Sequence, residues 1–277
     1  MDLTIRKEEP RSMRSIKQLF RFGWEQALSC LFPVVIFASL ALTKFLPMPI
    51  LPRYDWLLII CLLMQWVMVR SGLETKDELK VITLFHIIGL ALELFKVHMG
   101  SWAYPEDGYS KVFGVPLYSG FMYASVASYL CQAWRRLKVD LIKWPPFLAV
   151  VPLAAAIYLN FFTHHYWIDI RWWLSGMVLI VFWRSWVSYE VGGTQYRMPL
   201  ALSFVLIGFF IWIAENIATF FGAWEYPNQA DAWSLVHLGK VSSWLLLVIV
   251  SFLIVATLKR VKGNSSAGTA SGKTIKL

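Results

Sequence analysis

The chain has 277 residues, 58% of them hydrophobic and only 16% charged, with a formal net charge of +9. Soluble domains carry about 25% charged residues, so this balance excludes an ordinary soluble enzyme and points to a membrane protein. The basic excess lies in short loops between apolar runs, which assigns it to orientation in a lipid bilayer and leaves no role for nucleic acid.

Taken in chain order, residues 1–25 form a basic arm with Arg6, Lys7, Arg11, Arg14, Lys17 and Arg21. Ile16, Leu19, Phe20 and Phe22 intermingle with these bases, the pattern of an interfacial amphipathic helix. No apolar stretch with a small-residue cleavage site follows, so a removable signal peptide is not expected. Apolar runs then recur at about 27–46, 55–70, 80–98, 114–133, 145–163, 171–189, 199–221 and 235–258. Each has roughly the length that an α-helix needs to cross a bilayer. The proline-rich stretch 46–52 must break the chain between the first two runs. Residues 261–277 are rich in Gly, Ser, Thr, Ala and Lys and read as a disordered tail.

The loops alternate in charge. Arg70, Lys76 and Lys80 follow the second run, and Arg135, Arg136, Lys138 and Lys143 follow the fourth. The 190–198 loop carries Arg197 alone, and the opposite loops hold little more than Arg53, Lys111 and Arg171. The positive-inside rule then expects an even number of spans with both termini cytoplasmic. Cys30, Cys61 and Cys131 all fall within apolar runs and read as small core hydrophobes. No metal-binding cysteine spacing and no cofactor fingerprint is present. Tryptophans gather near the ends of the runs, as an interfacial belt requires.

One short pattern occurs twice. Glu93, Gly100, Trp102, Tyr104 and Pro105 are echoed by Glu215, Gly222, Trp224, Tyr226 and Pro227, 122 positions later. The expected architecture is therefore an all-α polytopic bundle of about eight transmembrane helices in two related four-helix units, 26–144 and 145–260. The rival reading is that two helix ends acquired similar aromatic turns independently. Both glutamates sit four or five residues before the end of an apolar run, roughly 6–8 Å inside the boundary at about 1.5 Å per residue.

Helical spacing sets the polar residues in stripes. His86, Gly89, Glu93 and Lys96 share one face, and Glu93 with Lys96 has the spacing of an intrahelical ion pair. Gly208, Trp212, Glu215 and Thr219 make the equivalent stripe. His237 and Lys240 follow, and Lys240 could supply the partner that Glu215 lacks on its own helix. Acids in apolar spans usually face the bundle interior, where they handle protons or ligands or glue helices together. His164, His165 and Asp169 have a spacing that would suit a divalent metal, though a mononuclear site takes three or four ligands.

The stretch from Glu93 to Tyr129, with Asn160–His165 and Trp224–Pro227, resembles a bacterial membrane family of YoaT-like proteins catalogued as domain of unknown function 817. The resemblance covers nearly the whole chain and implies a multi-pass protein of the bacterial cytoplasmic membrane. Trp102, Tyr104, Gly114 and Pro116 are also similar to a run in small membrane lycopene cyclases and carotenoid hydratases. In the cyclases that proline leads into a pair of glutamates, whereas here Leu117 and Tyr118 follow.

The expected site is a pocket on the outer side between the two units. Trp102, Tyr104, Trp224 and Tyr226 would form its aromatic wall, and Glu93, Lys96, Glu215 and Lys240, with His86 and His237, its proton-handling floor. Proton-coupled transport of a small solute is the leading expectation. An intramembrane enzyme acting on a lipid or isoprenoid, and a non-catalytic scaffold, are the alternatives. The partners expected are the bilayer and a small molecule or lipid.

Overall fold

The computed structural model describes residues 11–46 and 49–271, with side chains over 15–46 and 49–256. The first ten residues of the basic arm, part of the proline break and the last six residues of the tail lie outside the described residues. From Arg11 the arm is a helix, α1 (Arg11–Ser29). It meets α2 (Leu31–Phe45) at Cys30 with a bend of 67° between the two. Pro33 falls in the first turn of α2, where its missing N–H costs nothing, so the helix restarts there instead of running on.

Next come α3 (Arg53–Arg70), α4 (Lys76–His98) and α5 (Ser119–Arg136). The start of α4 is capped on both sides: Thr75 accepts from the Glu78 N–H while Glu78 accepts from the Thr75 N–H. The second half holds α6 (Phe147–Thr163), α7 (Arg171–Phe182), α8 (Leu200–Phe220) and α9 (Lys240–Ser271). α4 packs chiefly on α5, and α8 chiefly on α9. α2 pairs with α3, and α6 with α7. α5 and α9 also touch, and Trp134 in the last turn of α5 meets Phe252 at 5.6 Å. Glycines permit the closest approaches: a Cβ on Gly89 would stand 2.5 Å from the Tyr123 ring, and one on Gly208 would stand 3.0 Å from the Leu245 backbone nitrogen.

The fold is mostly helical, but not entirely. A hairpin of β1 (Lys111–Val112) and β2 (Val115–Pro116) occupies the start of the run expected to be a helix from 114. Phe113 and Gly114 form its turn with positive φ. A second correction concerns the run 171–189: α7 stops at Phe182 and the chain becomes β4 (Trp186–Val191). Val187, Tyr189 and Val191 at alternate positions suit a pleated strand, and Gly192–Gly193, both at positive φ, turn it into β5 (Thr194–Pro199). β3 (Asp140–Ile142) completes an antiparallel sheet of order β3-β4-β5. α1 lies against this sheet through Phe22 and Tyr189.

The expectation of eight spans is met only in part. α4 and α8 are long and apolar enough to cross a membrane, and the bent α1–α2 pair makes a third if counted as one. α7, with 12 residues, rises about 18 Å, short of the ~30 Å hydrocarbon core. A further correction is that the expected disordered tail continues α9 as helix to Ser271.

Candidate functional site

α4 and α8 end in the same way. Gly100 and Gly222 take positive φ (66° and 71°) just past the last turn. The Ser101 N–H returns to the Lys96 carbonyl and the Ala223 N–H to the Ala218 carbonyl, both at 2.9 Å. Glycine terminates a helix this way because the left-handed position carries no Cβ penalty. Each cap throws the following aromatic turn back over its own helix. The two turns then pair: Ala103 and Glu225 exchange two backbone hydrogen bonds of 2.9 Å in an antiparallel bridge. Trp102 packs edge-on to Tyr226 across it at 5.9 Å.

This geometry closes a cage around each acid. Glu93, 5% exposed, accepts from Trp102 Nε1 (2.7 Å) and the Tyr104 hydroxyl (2.8 Å) at one oxygen, and from the Tyr123 hydroxyl (2.8 Å) at the other. Glu215, 2% exposed, accepts from the Tyr226 hydroxyl and from Trp244 Nε1 (2.6 Å). Every donor is neutral. Burying a carboxylate is tolerable when several hydrogen bonds replace its hydration. Trp102, Tyr104 and Tyr226 therefore act as clamps on the acids. Tyr123 reaches Glu93 by lying flat over Gly89.

The lysines go elsewhere. The expected Glu93–Lys96 ion pair is absent among the described residues, and this is a correction. Lys96, 3% exposed, donates to the Phe161 carbonyl (3.1 Å) and to His165 Nε2 (2.8 Å), with its ammonium 4.1 Å above the Phe161 ring. Lying on the last turn of α4, it finds neutral acceptors at the end of α6. Lys240 does not pair directly with Glu215; its ammonium stands over the Tyr226 ring (4.7 Å) and beside Trp102 (5.6 Å).

His164 donates from Nδ1 to the Asn160 carbonyl at 3.0 Å, which fixes its tautomer and turns the Nε2 lone pair toward Lys96, 3.5 Å away. His165 stacks on His164 with ring centroids 4.1 Å apart. Burial first, and then the neighbouring Lys96 charge, push the His165 imidazole down to about 4. Asp169 does not join them. α6 stops at Thr163, so the helical turn that would align His165 with Asp169 never forms. Asp169 is held by Asn160 (3.1 Å) and Arg171 (2.5 Å); burial raises its pKa, but these hydrogen bonds and the Arg171 charge outweigh it and leave it lowered. Among the described residues no three His, Cys, Asp or Glu side chains gather as a metal site.

The remaining expected residues are dispersed. His86 packs on Phe121 at 4.4 Å, about two turns from Glu93 along α4. His237 is exposed and accepts from the Gly239 N–H. Tyr118, at the position where the cyclases carry acid, donates to the Ala223 carbonyl.

An open cavity of about 860 Å³ lies at the same end of the bundle and draws its lining from both halves, including Arg53, Glu106, Thr219, Trp224 and Asp231. Trp224 is the part of the expected aromatic wall that faces it; the two caged acids and both lysines do not. Arg53 organises the lip, bonding Glu106, Thr43 and the Phe221 and Gly222 carbonyls at the end of α8. Sequence reasoning missed Arg53 and Tyr123 as site residues, and also Glu74. That acid, 2% exposed, lies at the opposite end between α3 and α4 and accepts from Ser128 and Gln65; burial raises its pKa. The capping sequence Thr75-x-x-Glu78 was a legible signal for the helix start beside it.

Fold and site together define a mostly helical protein that has, among the described residues, two or three helices of membrane-crossing length and two caged carboxylates. The chain belongs to the family described as "Protein of unknown function (DUF817)", whose profile matches residues 18–252. It is 84% identical over 253 residues to the uncharacterized protein YoaT of Bacillus subtilis (strain 168), covering 91% of this chain and 96% of that one. Among solved structures, a cross-linked trimer of an MvINS variant is similar over 68% of this chain and 97% of its own, with 14% identity and a TM-score of 0.48.

Proposed function

We propose that the chain is a multi-pass protein of a bacterial cytoplasmic membrane that couples protonation of Glu93 and Glu215 to the movement of a small solute. In this reading α2–α5 and α6–α9 are two related four-helix units, α1 lies along the membrane surface, and both termini are cytoplasmic. The observation that carries it is the pair of cages: two carboxylates at matching helical positions, each held only by neutral phenol and indole donors, meet at one seam. With no cation bonded to it, a buried carboxylate is most simply neutralised by a proton.

Protonation turns one acceptor oxygen into a donor, so a phenol or indole in the cage must turn away. The aromatic turns are joined by the Ala103–Glu225 bridge, so a change at one acid is felt at the other turn. It is felt also at the cavity, which Trp224 and Glu225 line and where Thr219 stands one helical turn beyond Glu215. Arg70, Lys76, Arg135, Lys138 and Lys143 gather at the sheet end, which the positive-inside rule makes cytoplasmic and which leaves the cavity on the outer side.

The test is gradient-driven uptake of a labelled metabolite panel by vesicles containing the full chain. At least one solute should accumulate with an imposed pH gradient, and Glu93→Gln and Glu215→Gln should each abolish that uptake while eluting as the wild type does. Equal uptake by wild type and both variants rejects the reading.

A further inference from the structure

Lys96 and Lys240 carry two buried or half-buried ammonium groups with no carboxylate at ion-pair distance among the described residues. The partners of Lys96 are a carbonyl, an imidazole and a ring face, and those of Lys240 are two ring faces. Lys96 feels the charges of Lys240, Arg171 and Asp169, and Lys240 feels those of Glu215 and Arg171. Of the acids within reach, Asp169 is bonded to Arg171 and Asn160, and Glu215 accepts from the neutral donors Tyr226 and Trp244 and bonds to neither lysine. His164 and His165 turn lone pairs to Lys96 and add no charge of their own. α7 and α9 both begin here, with Arg171 and Lys240 and with no acid in the first turn. Basic side chains at helix N-termini add to the positive end of the macrodipole instead of opposing it. Three cations thus stand near two acids, one of which, Asp169, is bonded to Arg171, and this excess of positive charge in a largely desolvated place costs free energy until an anion arrives.

We propose that this convergence of α4, α6, α7 and α9 is a binding site for an anionic group, a phosphate or a carboxylate, with Lys96, Lys240 and Arg171 as its ligands. Arg171 keeps a free edge for it, since Nε is taken by Asp169 and Nη1 by Ser243. Tyr166, Trp167 and Ile168 stand exposed beside the cluster and offer an apolar rim to the rest of an amphiphilic anion. The same headgroup chemistry is found in a free oxyanion and in an anionic lipid. The inference goes beyond the proton reading and needs no gradient for its test.

The full chain is placed in nanodiscs of neutral phosphatidylcholine, and its melting temperature is followed at constant ionic strength. In one arm inorganic phosphate is titrated; in the other, the phosphatidylglycerol fraction of the disc is raised. A saturable rise in the first arm identifies a free oxyanion site, and a rise confined to the second identifies a lipid headgroup site. In either case Lys96→Gln and Lys240→Gln should weaken the apparent affinity by about tenfold each, the worth of one charge-assisted hydrogen bond. Lys96→Arg should retain most of the response, and Lys76→Gln, an exposed lysine at the other end of α4, should leave it unchanged. No response in either arm, or an undiminished response in both Gln variants, overturns the proposal.

Discussion

The Glu93 and Glu215 cages are built on the same plan and finished differently. In both, a glycine-capped helix turns a tyrosine back onto a carboxylate one turn or so inside the helix end. In the first, three donors satisfy the acid and its lysine leaves for the end of α6. In the second, two donors suffice, and a lysine stays close, over the ring of the tyrosine that clamps the acid. The opposite ends differ more: the first half joins α3 to α4 through a five-residue link holding buried Glu74, the second joins α7 to α8 through the β4–β5 hairpin. A shared local grammar at the helix ends therefore coexists with freedom elsewhere, and the region that matches is the one that brings the acids together.

Removing an acid altogether should separate the cages most sharply. Glu93→Leu orphans three buried donors and Glu215→Leu two, at about 1–3 kcal/mol for each donor left unpaired. Unfolding in detergent titrations should show the larger loss for Glu93→Leu; equal losses would mean that the third donor, Tyr123, contributes nothing. The tyrosine clamps give a smaller effect of the opposite rank. Tyr226→Phe takes one of two donors and should cost about 2 kcal/mol, while Tyr104→Phe takes one of three and should cost about 1 kcal/mol. A greater loss for Tyr104→Phe would put the weaker cage around Glu93.

A third contrast concerns pH. His165 is held neutral, its pKa pushed down from 6.5 to about 4 by burial and by Lys96. Between those values the unfolded chain binds more protons than the folded one, so the contribution of His165 is present above pH 6.5 and is lost as pH falls toward 4. The melting temperature of the wild type should fall relative to His165→Asn across that window. Parallel curves for the two proteins would show that burial and Lys96 together leave the His165 pKa unlowered in the folded state.

Much of the helical layout was legible in the apolar runs. The ends of α3, α4, α6 and α8 fall within a few residues of the runs 55–70, 80–98, 145–163 and 199–221. The runs failed where strands and turns share the composition of a span: Val115–Pro116 and Trp186–Val191 are apolar enough to extend a hydropathy window, yet pair as strands. Glu93 and Glu215 stood out because an acid in an apolar run is unusual. Tyr123 did not, since a tyrosine among small residues of α5 looks like packing until Gly89 lets it cross to the acid.

By itself, the sequence determined the apolar helices, the glycine-ended helix caps and the twinned carboxylates with their aromatic turns, because these depend on residues within a few turns of one another. The tertiary structure alone decided that the acids are caged by neutral donors, that Lys96 abandons Glu93 for His165, and that the two turns bridge at Ala103 and Glu225. Those outcomes depend on which helix stands beside which. A side chain as long as lysine reaches several partners at similar cost, so only the packed neighbours select among them.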